Sequence, residues 1–434
     1  MENLFCLMIL YIVYVCLSFW LFNGNFLSPS FMFCLSIAGM LCLAYYAATT
    51  MGMLFAIGIE TFSIFAFSGF LFIATELCVY LLRTSTCELK PVIDEVNREP
   101  LTISKQTEIL ITLFFLLSLM LMVYSMRAST SPGSWSDRMR EYKNLIYTNP
   151  GRIRYMFITS QVYKINLIMT NVLGYIMVYN LTVCNVPFKE VLSYIFDAGC
   201  FMVTSAVFNG TRQASVEVIL YLIIVYIALN MRPGGKKRIY AFLFKMIPVP
   251  VIIAAVFTAS GALVGRGQNT KDPFVNVVEY ICGGLHHFNH HINDPHTLYF
   301  GQSTFSFAYN VILPRIGIPY DFVNKNYGEF DIYGNTITIF GRWYQDFGAK
   351  GVFVMTFLVS LCYSLVFYYK IIYSCNMKSE NHLSKILYCQ FFMPIIWAFF
   401  DDRIASLFSV QTIILLTLIP FFFWLLITKK CKLF

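Results

Sequence analysis

The chain has 434 residues, of which 58% are hydrophobic, 18% aromatic and only 12% charged, with a net charge of +8. So little charge cannot cover a water-soluble protein of this length, and the composition equally excludes collagen-like, disordered and disulfide-scaffold chains. A bilayer crossing takes about 20 apolar residues, so the expected fold class is all-α and polytopic.

Apolar runs able to cross a bilayer fall at 4–22, 31–49, 58–82, 107–124, 156–180, 191–207, 215–230, 239–262, 351–372, 386–400 and 406–427. The expectation is about eleven spans (ten to twelve), with 31–82 long enough for two or for three. Nothing basic precedes Leu4, so the first run reads as a span and not as a cleaved signal peptide. The organisation expected is an N-terminal transmembrane bundle over 1–262, a large external loop over 263–350 and C-terminal transmembrane helices over 351–434. Lys and Arg in the short segments 231–238 and 429–432 place both on the cytoplasmic side. Alternation then puts 125–155, 208–214, 263–350 and 401–404 outside.

Most of the 13 cysteines lie inside apolar runs, where they act as small hydrophobes, and no CxxC or Cys/His zinc spacing is present. Of the charges in or beside the spans, Glu60, Glu76, Lys164, Asp197, Glu217 and Lys245 need a partner or a wet cavity. A Lys164–Asp197 pair between neighbouring spans is the expectation for two of them.

The outer segment 125–155 carries Arg127, Arg138, Arg140, Lys143, Arg152 and Arg154 against Asp137 and Glu141. A basic external loop runs against the positive-inside tendency. It reads either as a site for a polyanion, for which Arg offers bidentate phosphate contacts, or as a solvated loop near lipid headgroups. At 208–212 the sequence Phe-Asn-Gly-Thr-Arg opens a span, setting Arg212 beside backbone N–H groups and a positive helix end. A snorkelling arginine is the alternative.

In the long loop, Phe274, Val278, Ile281, Leu285, Phe288 and Ile292 recur at spacings of four and three. They predict an amphipathic helix lying on the membrane or on the bundle. Its polar face carries Glu279, His286, His290 and Asn293, with His287 and His291 beside them, and Asp294-Pro295 ends it. Five of the six histidines of the chain fall in 286–296. They suit polar packing, a proton acceptor near neutral pH or, through the i,i+4 pairs, a transition metal; no HExxH arrangement accompanies them.

The loop closes with Asn335-Thr336-Ile337-Thr338, then Arg342, Trp343, Tyr344, Asp346, Phe347, Gly348 and Gly351. The Asn-Thr-x-Thr stretch, the Tyr-x-Asp-Phe-Gly-x-x-Gly that follows and the Gly-Thr-Arg turn resemble the O-antigen polymerases, the Wzy-type polymerases of oligosaccharide repeat units. The layout of many spans around one dominant external loop is similar too. The residue-specific likeness is confined to 209–212 and 335–351.

The resemblance implies a glycosyltransferase of GT-C-like architecture in the bacterial inner membrane, serving lipopolysaccharide biosynthesis on the periplasmic face. Its substrates would be two undecaprenyl-diphosphate-linked oligosaccharides. The growing glycan would pass from its lipid diphosphate to the non-reducing end of a new repeat unit, with no cofactor, metal or nucleic acid and with a chain-length-determining protein as partner. The leaving diphosphate needs fixed cations, for which Arg212, Arg127, Arg138, Arg140, Arg152, Arg154, Arg342 and Arg403 are candidates. The acceptor hydroxyl needs a base. His286, His290 and Asp346 lead, followed by the turn Asp401-Asp402-Arg403, and Asp346 has the alternatives of capping or of pairing with Arg342. Asn335, Thr336, Trp343 and Tyr344 are the glycan-contact candidates. The related O-antigen ligases and the lipid-linked oligosaccharide flippases are the alternatives, the latter disfavoured by the long loop and by the absence of an internal repeat.

Overall fold

A computed structural model of the chain describes residues 1–86, 99–209, 213–231, 236–246, 273–293, 298–306, 308–318, 336–372 and 382–427. Among these, every regular element is helical. Among the described residues, eight helices are long and apolar enough to cross a membrane: Glu2–Leu21, Pro29–Thr50, Ile59–Ser85, Lys105–Ser129, Met156–Thr182, Phe188–Phe208, Gln213–Asn230 and Ile339–Ile372. The chain is thus a multi-pass membrane protein. The stretch 31–82 resolves into two helices and not three.

In chain order the main helices are α1 (Glu2–Leu21), α2 (Pro29–Thr50), α3 (Ile59–Thr86), α4 (Lys105–Ser129), α5 (Trp135–Thr148), α6 (Met156–Thr182), α7 (Leu192–Asn209), α8 (Gln213–Asn230), α9 (Lys236–Met246), α10 (Pro273–Asn293), α11 (Ile339–Val366), α12 (His382–Phe391) and α13 (Val410–Ile427). Two departures from the hydropathy reading have local causes. The run 386–400 is not one span: α12 stops at Phe391, and Met393–Ile396 and Trp397–Phe399 continue as separate short turns. Pro394 supplies no N–H and restricts the residue before it, so a straight helix cannot pass. The last long span starts at Ile339 and not near Gly351, because Ile339, Phe340 and Trp343 add buried apolar surface ahead of the hydropathic run. Of the run 239–262, only the part within α9 lies among the described residues.

The chain divides into two compact units, both discontinuous. The first comprises Met1–Val92, Asp272–Lys378 and Phe391–Ile413, and the second Ile93–Lys271, Ser379–Gln390 and Ile414–Phe434. The long-loop helix therefore shares a unit with α1–α3 and α11.

In the first unit, polar side chains inside apolar helices are satisfied by neighbours, as a low-dielectric setting demands. The Tyr11 and Tyr14 hydroxyls of α1 donate to the carbonyls of Phe65 and Ala66 in α3, at 2.9 and 3.0 Å. Ser360 of α11 donates to the Phe72 carbonyl at 2.8 Å. Glu76 is fully buried, and its carboxylate accepts from the Ser28 hydroxyl (2.8 Å), the Ser30 N–H (2.6 Å) and the Tyr368 hydroxyl (2.8 Å). One side chain of α3 thereby fixes the start of α2 and the turn that follows α11.

In the second unit, the Asn180 side chain bonds both the N–H and the carbonyl of Leu101 at 2.9 Å, and Asn171 donates to Gln390 at 2.7 Å. The Tyr221 hydroxyl donates to the Asn171 carbonyl at 2.9 Å, joining α8 to α6. The expected Lys164–Asp197 pair does not form. Asp197 of α7 is buried against Thr112 and Glu108 of α4 instead.

Replacing Glu76 by Ala strands three buried donors at about 1–3 kcal/mol each. Glu76→Ala should lower the thermal unfolding midpoint in detergent by well over ten degrees or abolish accumulation, and Glu76→Gln should do less damage; a wild-type midpoint in Glu76→Ala would refute the role.

Candidate functional site

The stripe predicted over 274–292 is a helix from Pro273 to Asn293. Val278, Cys282, Leu285 and Phe288 are fully buried. Burial extends to His286 and His287, so α10 packs into the bundle of α2, α3 and α11 instead of floating on the bilayer surface. Gly284 permits this: a Cβ there would stand 3.1 Å from the backbone N of Thr338 and 3.3 Å from the carbonyl O of Phe399. Asn289 completes the anchorage, its side-chain oxygen accepting from the Gly58 N–H at 2.7 Å and the Thr61 hydroxyl at 2.9 Å.

This packing sets the histidines. His286 Nδ1 donates to the Leu54 carbonyl at 2.8 Å, which leaves Nε2 as the acceptor nitrogen of the neutral ring. Burial lowers its pKa; the Leu54 bond opposes this and neighbouring His290 adds to it. The ring centroids of His286 and His290 lie 4.6 Å apart, and His290 is exposed. A neutral imidazole oriented by a carbonyl next to an exposed imidazole is an arrangement that can accept a proton and pass it on. His291 faces the Tyr344 ring at 6.2 Å, and Glu60 lies within electrostatic reach of the Tyr344 hydroxyl.

At the head of α11, Arg342 meets Asp401 at 3.6 Å, with each side chain about a quarter exposed (27% and 23%). The neighbouring carboxyl is placed differently. Asp402 is 2% exposed; one oxygen accepts from the Ala405 N–H at 3.1 Å, and the other has no hydrogen-bond partner among the described residues. Burial pushes its pKa up to about 7, against the lowering effect of the Arg342 guanidinium, while Asp401 adds to the rise. Arg403 follows in the same turn, half-buried.

Asp346 and Trp343 sit where neither suits its expected role. Asp346 is fully buried and accepts from the N–H groups of Ser303 and Thr304 at 2.9 and 2.6 Å. With the bonds from the Tyr299 N–H to the Gln345 carbonyl and from the Phe300 N–H to the Asp346 carbonyl, it clamps 299–304 onto α11. A carboxylate so engaged serves as a structural acceptor, in line with the capping alternative. Arg342, the other partner expected for it, meets Asp401. Trp343 is 1% exposed and packs on Phe340, so it offers no face to a sugar. Tyr344 and Thr336 are half-buried, and Asn335 lies outside the described residues. Gly348 adopts φ 67° and ψ −168° inside α11, a break that a residue with a side chain would resist.

The arginine cluster belongs to the second unit. The sequence reading missed α5, whose Met139 and Tyr142 pack with Met122, Met126, Ile153, Val207 and Phe208. That core joins the last turn of α4, the approach to α6 and the end of α7, leaving Arg127, Arg140, Arg152 and Arg154 exposed around it. Arg138 is half-buried and donates to the Gly133 carbonyl at 3.1 Å. Arg212, three residues beyond α7, lies outside the described residues. The helical signal of α5 was present, since Ser134 precedes Asp137 as an N-cap and Met139, Tyr142 and Ile146 follow helical spacing.

Among the described residues, no group of three or more His, Cys, Asp or Glu side chains is arranged to hold a metal. No family model, curated protein or solved structure matches the chain.

Asp402 supplies a pH test. Its folded-state pKa lies above the ordinary carboxyl value, so between about pH 4 and 7 the folded chain binds a proton that the unfolded chain does not. Stability should fall as pH rises through that window. Asp402→Asn should flatten this part of an unfolding-midpoint profile, and an unchanged slope would show that Asp402 does not titrate there.

Proposed function

We propose that this membrane protein is a glycosyltransferase that polymerises lipid-linked oligosaccharide repeat units at the outer face of the bacterial inner membrane. The growing glycan passes from its undecaprenyl diphosphate to the non-reducing end of a new lipid-linked unit. The observation that carries the reading is the placement, within one unit, of an oriented neutral His286, an exposed His290 and the Arg342–Asp401 pair at the head of α11. The likeness of 335–351 and 209–212 to the Wzy-type polymerases points the same way.

In this mechanism His286 and His290 take the proton of the acceptor hydroxyl, Nε2 of His286 being the ring's acceptor nitrogen. Arginines neutralise the charge that develops on the departing diphosphate. Two lipid diphosphates, donor and acceptor, each need such cations; Arg342 and Arg403 are candidates in the first unit, Arg127, Arg140, Arg152 and Arg154 in the second, and Arg212 is a candidate from the sequence alone. Tyr344 and Thr336 remain the glycan contacts, while Asp346 and Trp343 hold the scaffold that presents them.

Deletion of the chain followed by gel analysis of surface glycolipid tests the reading. A core capped by a single repeat unit is the expected result; core without glycan would indicate the ligase or flippase alternative, and a normal ladder would refute all three. The His286→Ala/His290→Ala double variant should lose about 10²-fold or more of activity, the scale of a lost proton acceptor, while still accumulating in the membrane. Arg212→Ala should likewise abolish long chains. His382, whose Nδ1 lies 3.0 Å from the Tyr175 hydroxyl in the other unit, is the control: an equal loss in His382→Ala would count against the histidine assignment.

A further inference from the structure

The second unit holds a buried acidic pair that the proposed glycan chemistry does not use. Asp197 on α7 is 1% exposed, and neither carboxylate oxygen has a hydrogen-bond partner among the described residues. Its surroundings are oxygen-rich: the Thr112 hydroxyl of α4 faces it, and the Glu108 carboxylate one turn earlier on α4 lies within electrostatic reach. The Ser193 hydroxyl, one turn before Asp197 on α7, donates to Glu108 and ties the two helices together at this level. Among the described residues no cation pairs with either carboxylate, and Lys164 on α6 makes no bond to them.

Two carboxylates close together in an apolar helix bundle repel each other and lose hydration, and such a group persists only if something positive neutralises it. The donor atoms here are carboxylate and hydroxyl oxygens, the ligands of hard cations and not of zinc or copper. Two negative charges are cancelled by one divalent ion. Glu108 is only half-buried in the first turn of α4, close to the end of its span, so an ion can reach the pair from the membrane surface. We propose that Glu108 and Asp197, with the hydroxyls of Thr112 and Ser193, form a binding site for one hard divalent cation, calcium or magnesium, that locks α4 to α7.

The locked helices matter because the far ends of both carry the α5 core with its ring of arginines. An ion at the near end stiffens the pair of helices on which that basic surface is built.

The test is equilibrium binding of radiolabelled calcium to the full-length protein. The protein is stripped with chelator and held in nanodiscs of zwitterionic lipid, with empty nanodiscs as the blank and magnesium and sodium as competitors. The expected result is one ion per chain, displaced by magnesium but not by sodium at equal ionic strength, with a raised unfolding midpoint. Asp197→Asn and Glu108→Gln should each weaken binding about tenfold or more by removing one ligand charge. Glu141→Gln on α5, where the native carboxylate meets only Ser131 among the contacts resolved, should bind as wild type. Binding no greater than to empty nanodiscs, or undiminished binding in both variants, overturns the proposal. So does displacement by sodium. A wild type that responds to pH alone, with Asp197→Asn as stable as the acidified protein, would mean that the pair is neutralised by a proton, and this too overturns it.

Discussion

The Glu76 carboxylate is the constraint from which the first unit is assembled. An ionisable group at full burial in an apolar helix is among the costliest features a membrane protein can carry, and here three donors from two other segments converge on it. Ser28 is also the N-cap of α2, accepting from the Phe31 N–H, so the charge stands against the positive end of that helix. The register of α2 against α3 follows from this node. It fixes Met40, whose carbonyl takes the Cys282 thiol, and Phe33, which stacks on Phe72 at 4.3 Å. Through those contacts the node determines where α10 docks and hence where its histidines point.

The docked α10 separates residues of one chemical type by environment. His286 and His290 are one turn apart, yet the first is buried and held by the Leu54 carbonyl while the second is exposed. Asp401 and Asp402 are adjacent in sequence, but the first is partly exposed against Arg342 and the second is sealed, with its pKa driven up to about 7. Burial thus lowers the proton affinity of His286 and raises that of Asp402, shifts that sequence cannot display, and a proton-transfer site is built from such shifts.

Legibility from sequence followed the same division. Hydropathy located the long spans, because each is selected by one variable averaged over some twenty residues. It failed at 386–400, where one proline outweighs the average, and at the start of α11, where the buried aromatic surface of Phe340 and Trp343 is interrupted by Gly341 and Arg342. The period of α10 was readable in full. Its depth of burial was not, because that depends on Gly284 meeting backbone from two distant segments. Residue type nominated His286, His290, Asp346 and Trp343 alike, and only packing distinguished them. Asp346 went to the clamp on 299–304 and Trp343 to the core, for a motif records that a residue is needed without recording what it touches.

Asp346 and Asp197 show how unlike two buried carboxylates can be. The first has backbone donors on both oxygens and holds a segment in place; its negative charge is neutralised by structure. The second has no backbone donor on either oxygen among the described residues, only the Thr112 hydroxyl facing it and a second carboxylate within electrostatic reach. Under the rule that buried charge must be compensated, the first case is solved by backbone donors, and the second is not solved by any described residue. Counting donors around each buried acid therefore separates groups that build the fold from groups that await a ligand, and it does so without reference to any relative.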